Sequence, residues 1–306
     1  MTHSAEINGE ITMTGGNVKM GYAAAFAGPA LWGILPLFYL LLDGFSAVEI
    51  VAQRSLWSFI LMAIAYVFLR RLRLIAGHFT FGRHSFMILI GTLLIAVNWI
   101  IFVYAVSEGR VVEASFGYFI YPLFAVAGGV LFLKERFDAR TKWALAFSMI
   151  GVSFKGWSLG MVPDISLALA LSFGLYAIVR KQVTINSLDG FFCETIWLLP
   201  FVLAFLAFHT ASGNPVFFDG EVKGFILAIS CGVITTVPLV LFLQGNKMLP
   251  LSVTAFIFYV NPTLQLLCGI TFFGEGFSPI DMLAFGFIWL GLAIQFIRPK
   301  KTKATA

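Results

Sequence analysis

Long apolar runs follow one another along almost the whole chain, separated by short polar breaks. About 20 apolar residues in a helix, rising 1.5 Å each, cross a hydrocarbon core roughly 30 Å thick. Runs near that length fall at residues 20–42, 47–69, 85–106, 111–133, 141–158, 163–181, 189–208, 222–244, 250–273 and 280–297. None shows the strict alternation of a half-buried strand, and in lipid only helices or closed barrels satisfy their own backbone groups. The pattern predicts an all-α integral membrane protein with ten transmembrane helices and no stretch left for a soluble domain. Residues 1–18 are polar and lack the basic start of a signal peptide, so they read as a disordered cytoplasmic tail. Residues 299–306 read as a basic cytoplasmic tail.

Composition agrees with a bilayer environment: 59% of residues are apolar and 11% charged, against roughly 45–50% and about 25% in soluble domains. The net charge of +5 is explained by where the basic residues fall rather than by a nucleic-acid surface. One set of connections holds Lys19, Arg70, Arg71, Arg73, Arg83, Lys134, Arg136, Arg140, Lys142, Arg180, Lys181, Lys247, Arg298, Lys300, Lys301 and Lys303. The other set holds only Arg110, Lys155 and Lys223. Sixteen against three places both termini in the cytoplasm and requires an even number of spans. Trp143 and Trp157 bracket the fifth run as interfacial anchors would. The three cysteines, Cys193, Cys231 and Cys268, lie in apolar runs and form neither a disulfide framework nor a zinc pattern.

The chain repeats itself. Residues 102–151 align without a gap on 242–291, a shift of 140, with ten of 50 positions identical. Phe102/Phe242, Phe116/Phe256, Phe132/Phe272, Phe137/Phe277 and Phe147/Phe287 mean little in a chain with 34 Phe. Pro122/Pro262, Gly129/Gly269, Glu135/Glu275, Ala144/Ala284 and Gly151/Gly291 keep a shared order of proline, glycine, glutamate and glycine. Five runs per half would place the second half upside down, so residues 19–160 and 161–298 are expected to form two inverted five-helix repeats. Many secondary transporters are built this way.

Arg54 lies about 10 Å inside the second run. An intramembrane charge costs a few kcal/mol on insertion scales, so Arg54 is expected to face the bundle interior or a watery cavity, near an anion from another helix. It reads as an anion-binding or gating residue, or as half of a structural ion pair. Glu49 is about 140° around the helix from Arg54 and therefore a poor partner; it reads as a gate residue or an interfacial one. Glu194 corresponds roughly to Glu49 at an offset of 145. These two are candidate gate carboxylates that carry a proton, with a dipole-supported helix start as the alternative for Glu194. Pro122 and Pro262, each near the middle of its run, point to paired interruptions around a midplane site, or to simple kinks. Tyr118, Tyr121, Tyr259, Asn261 and Gln265 are their candidate cavity neighbours. Asn98 and Trp99, deep in the third run, offer an amide and an amphipathic ring to a ligand or to another helix. Gly117, Gly128, Gly129 and Gly269 permit close helix approach, within one chain or in a homodimer. Glu135 and Glu275 lie at helix ends, where a structural role is favoured, and Lys155 is expected to snorkel.

Several stretches resemble the RarD family of the EamA-type drug/metabolite transporter superfamily. They are Leu31-Trp32-Gly33-Ile34-Leu35-Pro36-Leu37, Glu49 to Arg54 with Trp57-Ser58, Asn98-Trp99, Glu113 to Ile120 before Pro122, Arg180-Lys181 and Glu194-Thr195. The resemblance covers about residues 20–298 and implies a bacterial inner-membrane permease of a small metabolite or drug-like molecule. It departs at Tyr121, where the family commonly has Asn before the proline, which puts selectivity in doubt if that Asn touches substrate. The family's chloramphenicol label records a phenotype, not a substrate.

No metal-binding, nucleotide-binding or nucleophile–base motif is visible in the sequence, so neither an enzyme nor a cofactor is expected. His3, His78 and His84 lie in the tail or a loop, and His209 at the end of a run. The bilayer and a small solute are the expected partners. A membrane enzyme acting on lipid, or a subunit without flux, is the alternative.

Overall fold

The computed structural model describes residues 15–79, 82–133, 139–159 and 164–296. Residues 1–14 of the expected 1–18 tail, the whole 299–306 tail and Glu135 lie outside the described residues, whereas residues 15–18 belong to the first helix rather than to a tail. The described chain is helical throughout. Its helices are α1 (Gly15–Gly33), α2 (Leu35–Tyr39), α3 (Ala47–Phe68), α4 (Leu72–Ala76), α5 (Arg83–Ser107), α6 (Val111–Leu133) and α7 (Ala139–Leu159). There follow α8 (Asp164–Gln182), α9 (Ser187–Ala211), α10 (Val222–Met248), α11 (Leu251–Ile257), α12 (Val260–Phe272) and α13 (Pro279–Phe296). Each apolar run of the sequence coincides with a helix or with a broken pair of helices. Among the described residues, seven segments are long and apolar enough to cross a membrane: Val18–Leu42, Ala47–Phe68, Arg83–Ser107, Val111–Phe132, Ser187–Ala211, Val222–Met248 and Val253–Phe272. Of the rest, α7 carries Arg140, Lys142 and Lys155, α8 carries Asp164, Arg180 and Lys181, and the apolar part of α13 is short.

The expectation of paired interruptions at Pro122 and Pro262 needs correction. The helix runs unbroken through Pro122 in α6. The break in its counterpart falls at Phe258 and Tyr259, between α11 and α12, and Pro262 sits in the first turn of α12. A first-turn residue has no intrahelical acceptor for its N–H, so proline costs little there. The other break near Pro36 separates α1 from α2.

Close packing explains several of the repeated residues. A Cβ added to Gly291 would lie 2.6 Å from the carbonyl oxygen of Ala144, and Gly151 lies equally hard against Ala284. The identical pairs Gly151/Gly291 and Ala144/Ala284 are thus the two halves of one reciprocal contact between α7 and α13. Gly117 and Gly128 of α6 meet Ser166 and Ile178 of α8, so these small residues serve contacts inside the chain. Gly129 is buried on α6, and Gly269 is close to Val112 and to Glu275. Trp143 and Trp157 point outward, the latter 90% exposed.

Glu275 has a structural role. Its carboxylate accepts the N–H groups of Val111 and Val112, each at 2.9 Å, and so caps the start of α6. Glu275→Ala leaves both donors unmet and should cost about 1–2 kcal/mol, as loss of a side-chain cap does, read as a lowered unfolding midpoint in detergent.

Candidate functional site

A small cavity of about 20 Å³ lies among buried side chains of the bundle. Trp32 ends α1 above it and Leu35 of α2 borders it; α3 supplies Arg54, and α5 supplies Asn98, Trp99 and Phe102. Tyr118 comes from α6, Phe173 from α8, Phe258 from the break before α12, and Asn261 and Gln265 from α12. All eleven are buried. The rings interlock: Trp32 meets Phe173 and Phe258, and Tyr118 meets Phe102, Phe173 and Phe258, with centroids 5.6–6.4 Å apart.

Arg54 is the charged member. It is 1% exposed. Its Nε donates to Thr235 Oγ1 of α10 at 2.9 Å and its Nη1 to the Tyr39 hydroxyl at 2.6 Å. Its guanidinium carbon lies 4.6 Å from the centre of the Trp99 ring. The expected anionic partner from another helix is absent: among the described residues Arg54 forms no ion pair. Neutral hydroxyls and a ring hold the charge instead.

The amides differ in how far the protein uses them. Asn98 Nδ2 donates to Leu169 O and Ser172 Oγ at 3.1 and 3.0 Å, and its Oδ1 accepts from the Tyr118 hydroxyl at 2.9 Å. Asn98 therefore ties α5 to α6 and α8. Gln265 Nε2 donates to Asn261 Oδ1 at 2.8 Å, but Gln265 Oε1 is buried without a donor.

A second cavity, about 240 Å³, lies at the end of the bundle where α2 turns into α3. Tyr39, Asp43, Ile50, Val103 and Val106 are among its lining residues. Tyr39 stands between the two spaces, lining the second while bonding the Arg54 that lines the first.

The opposite end is held by polar contacts. Arg180 Nε lies 3.1 Å from Glu194 Oε1, with both side chains almost wholly buried, and the Tyr176 hydroxyl donates to Glu194 Oε2 at 3.2 Å. Lys181 Nζ donates to the carbonyls of Leu249 (2.6 Å) and Asn246, and Lys247 Nζ to those of Arg180 (3.2 Å) and Val183. Tyr66 bonds Asp189. At the α2–α3 end, Glu49 meets His209 Nε2 at 3.6 Å.

The structure gathers Arg54, Asn98, Trp99, Tyr118, Asn261 and Gln265 around the central cavity. Tyr121, Pro122, Tyr259 and Pro262 stand behind the lining, with Tyr121 edge-on to Phe173 and Phe258. Glu49 and Glu194 lie outside it. The offset of 145 between those two is also corrected. Ser46 accepts from Glu49 N, and Asn186 accepts from Asp189 N, so the two helix starts match at a shift of 140. Glu49 therefore corresponds to Asp189, and Glu194 to Arg54. Trp32, Leu35, Phe102, Phe173 and Phe258 were not singled out as lining residues from the sequence. The 140 shift relates Phe258 to Tyr118 and was the one signal for it.

Comparison with known proteins places this geometry. The signature of the EamA-like transporter family matches twice, at residues 19–155 and 165–297. The chain belongs to the EamA-like transporter family. An uncharacterized transporter of Pseudomonas aeruginosa is 37% identical over 286 residues, covering 92% of this chain and 95% of the relative. Protein RarD of Escherichia coli is 35% identical over 277 residues, covering 90% and 93%. The chloramphenicol-sensitive protein RarD of Pseudomonas aeruginosa is 27% identical over 282 residues, covering 90% and 92%. A crystal structure of a protein only 16% identical shares the fold, with a TM-score of 0.63 over 92% of this chain and 97% of that one. This EamA-family chain is a RarD-like multi-pass membrane protein, as the motifs around Trp32, Asn98 and Glu113 implied.

Proposed function

We propose that this EamA-family protein is a secondary transporter that moves a small molecule across the bacterial inner membrane by alternating access. Two inverted five-helix halves, residues 19–160 and 161–298, rock about the central cavity, with both termini in the cytoplasm. The observation that carries this reading is the central cavity itself, built by α1, α2, α3, α5 and α6 from one half and α8, the break before α12 and α12 from the other around a buried arginine.

Helix packing gives further support. Taking α2 with α1 and α11 with α12, and leaving out the five-residue α4, there are ten rods among the described residues. Exchanging each rod with the one five places on turns the α1–α10 contact into α8–α5, α3–α10 into α9–α5, and α6–α8 into α12–α1, all of which occur. The contacts α3–α9, α6–α12 and α7–α13 map onto themselves. The two family matches, one per half, agree with the same division.

The bias of basic residues puts the α2–α3 end outside. On that orientation the second cavity lies on the outer side, Tyr39 stands between it and Arg54, and the Arg180–Glu194 pair with Lys181 and Lys247 closes the cytoplasmic side.

The test is a screen of the purified protein for solutes that raise its unfolding temperature, followed by flux of each hit in proteoliposomes. A ligand at 100 times its dissociation constant adds about 2.7 kcal/mol to the folded state. At least one stabilising solute should be transported. A folded, monodisperse protein stabilised by nothing would favour the subunit reading instead.

A further inference from the structure

We infer that the transported solute is a small organic anion, its carboxylate, sulfonate or phosphate group seated on Arg54 and its apolar body among the rings of the central cavity. This rests on the transporter reading and adds the chemistry of the solute.

Charge balance carries the argument. The buried and half-buried cations Arg180, Lys155, Lys181 and Lys247 have oxygen partners that offset them. Arg180 meets Glu194, Lys155 meets Asp281, and Lys181 and Lys247 each donate to two backbone carbonyls. Arg54 has only two neutral hydroxyls. A guanidinium carries five N–H donors and cannot lose its charge in a protein. Two are engaged, by Thr235 and Tyr39, which leaves three with no acceptor in the described chain. An uncompensated charge inside a membrane protein is costly, and where it borders a cavity it marks a solute path. Only an incoming anion completes this one.

The rest of the cavity fixes what the anion is attached to. Trp32, Leu35, Phe102, Phe173 and Phe258 form an apolar wall to the cavity. An inorganic ion would leave that wall unused. Aromatic walls also attract organic cations, but Arg54 covers the Trp99 ring and repels a second positive charge. Guanidinium binds planar oxyanions through two parallel hydrogen bonds, a geometry that ammonium does not match.

Phenylacetate, phenylacetamide and 2-phenylethylamine share one body and differ in charge. They serve as probes, with wider sets of carboxylates, sulfonates, phosphate esters, amides and amines of similar size beside them, at constant ionic strength. The readout is the unfolding temperature of the full-length protein in detergent. Anionic members should stabilise the wild type saturably, and their amides and amines should not. Arg54→Gln should weaken the anion effect at least about tenfold, the loss expected for a charge-assisted bond, and Arg54→Lys should keep part of it. The wild-type comparison decides even if a variant folds poorly. Stabilisation by amides or amines as strong as by the matching anions overturns the inference and leaves the transporter reading intact. Stabilisation by no member of any class overturns both.

Discussion

Glu194→Ala is expected to lower the stability of the folded protein by about 3–5 kcal/mol, the usual consequence of removing one partner of a buried ion pair. The single change leaves Arg180 2% exposed with its charge unopposed. Its Nη1 and Nη2 atoms already lack hydrogen-bond partners among the described residues, which leaves the loss uncompensated there. The guanidinium also lies hard against Gly190, which prevents it from turning away. Replacing both partners by apolar residues, Arg180→Met with Glu194→Leu, should recover most of the deficit, because well-packed apolar residues often match a buried ion pair in stability. Denaturation followed by tryptophan fluorescence in one detergent distinguishes the outcomes. A single variant as stable as wild type would mean that the pair is wetter and weaker than its burial implies.

Gly291→Leu should be damaging by a different route. Its Cβ would sit 2.6 Å from the carbonyl oxygen of Ala144 and 3.1 Å from Ser148 Oγ, so α7 and α13 must separate to admit it. Overpacking a tight contact costs about 1–3 kcal/mol and occasionally more. Here the contact is reciprocal, and separating the helices also opens the Gly151–Ala284 side. The control is Gly286→Leu on the same helix, where an added Cβ meets nothing within 4 Å and the side chain points outward. The 291 variant should give little monodisperse protein, with a depressed unfolding temperature. The 286 variant should behave as wild type to within about 1 kcal/mol, as surface substitutions do. Equal behaviour of the two would show that α7 and α13 do not touch as described.

Helix placement was readable because lipid demands one simple pattern. The run at 111–133 and the helix Val111–Leu133 coincide, and the other ends differ by a few residues. The depth of Arg54 was also readable, from its position in an apolar run. Its surroundings were not. Thr235 is 181 residues away in sequence, and no rule of spacing links the two. Glu194 was matched to the wrong residue because identity was the guide. Ser46 and Asn186 cap their helices in the same way, accepting from the first-turn N–H groups of Glu49 and Asp189, but neither pair is identical. Asn98 offered a ligand-binding amide on paper, and only coordinates reveal that Leu169, Ser172 and Tyr118 already use it. Phe173 and Phe258 were hidden among 34 phenylalanines, since composition says nothing about which rings converge.

Alternating access requires that one buried position meet water from both sides of the membrane at different times. Leu35 lines the central cavity and is buried. The decisive measurement places a single cysteine there, in a chain whose Cys193, Cys231 and Cys268 are alanine, and applies a membrane-impermeant thiol reagent to right-side-out and inside-out vesicles. The account predicts labelling from both sides, slowed from the cytoplasmic side by the Arg180–Glu194 closure. Labelling from one side only, or from neither, would contradict it.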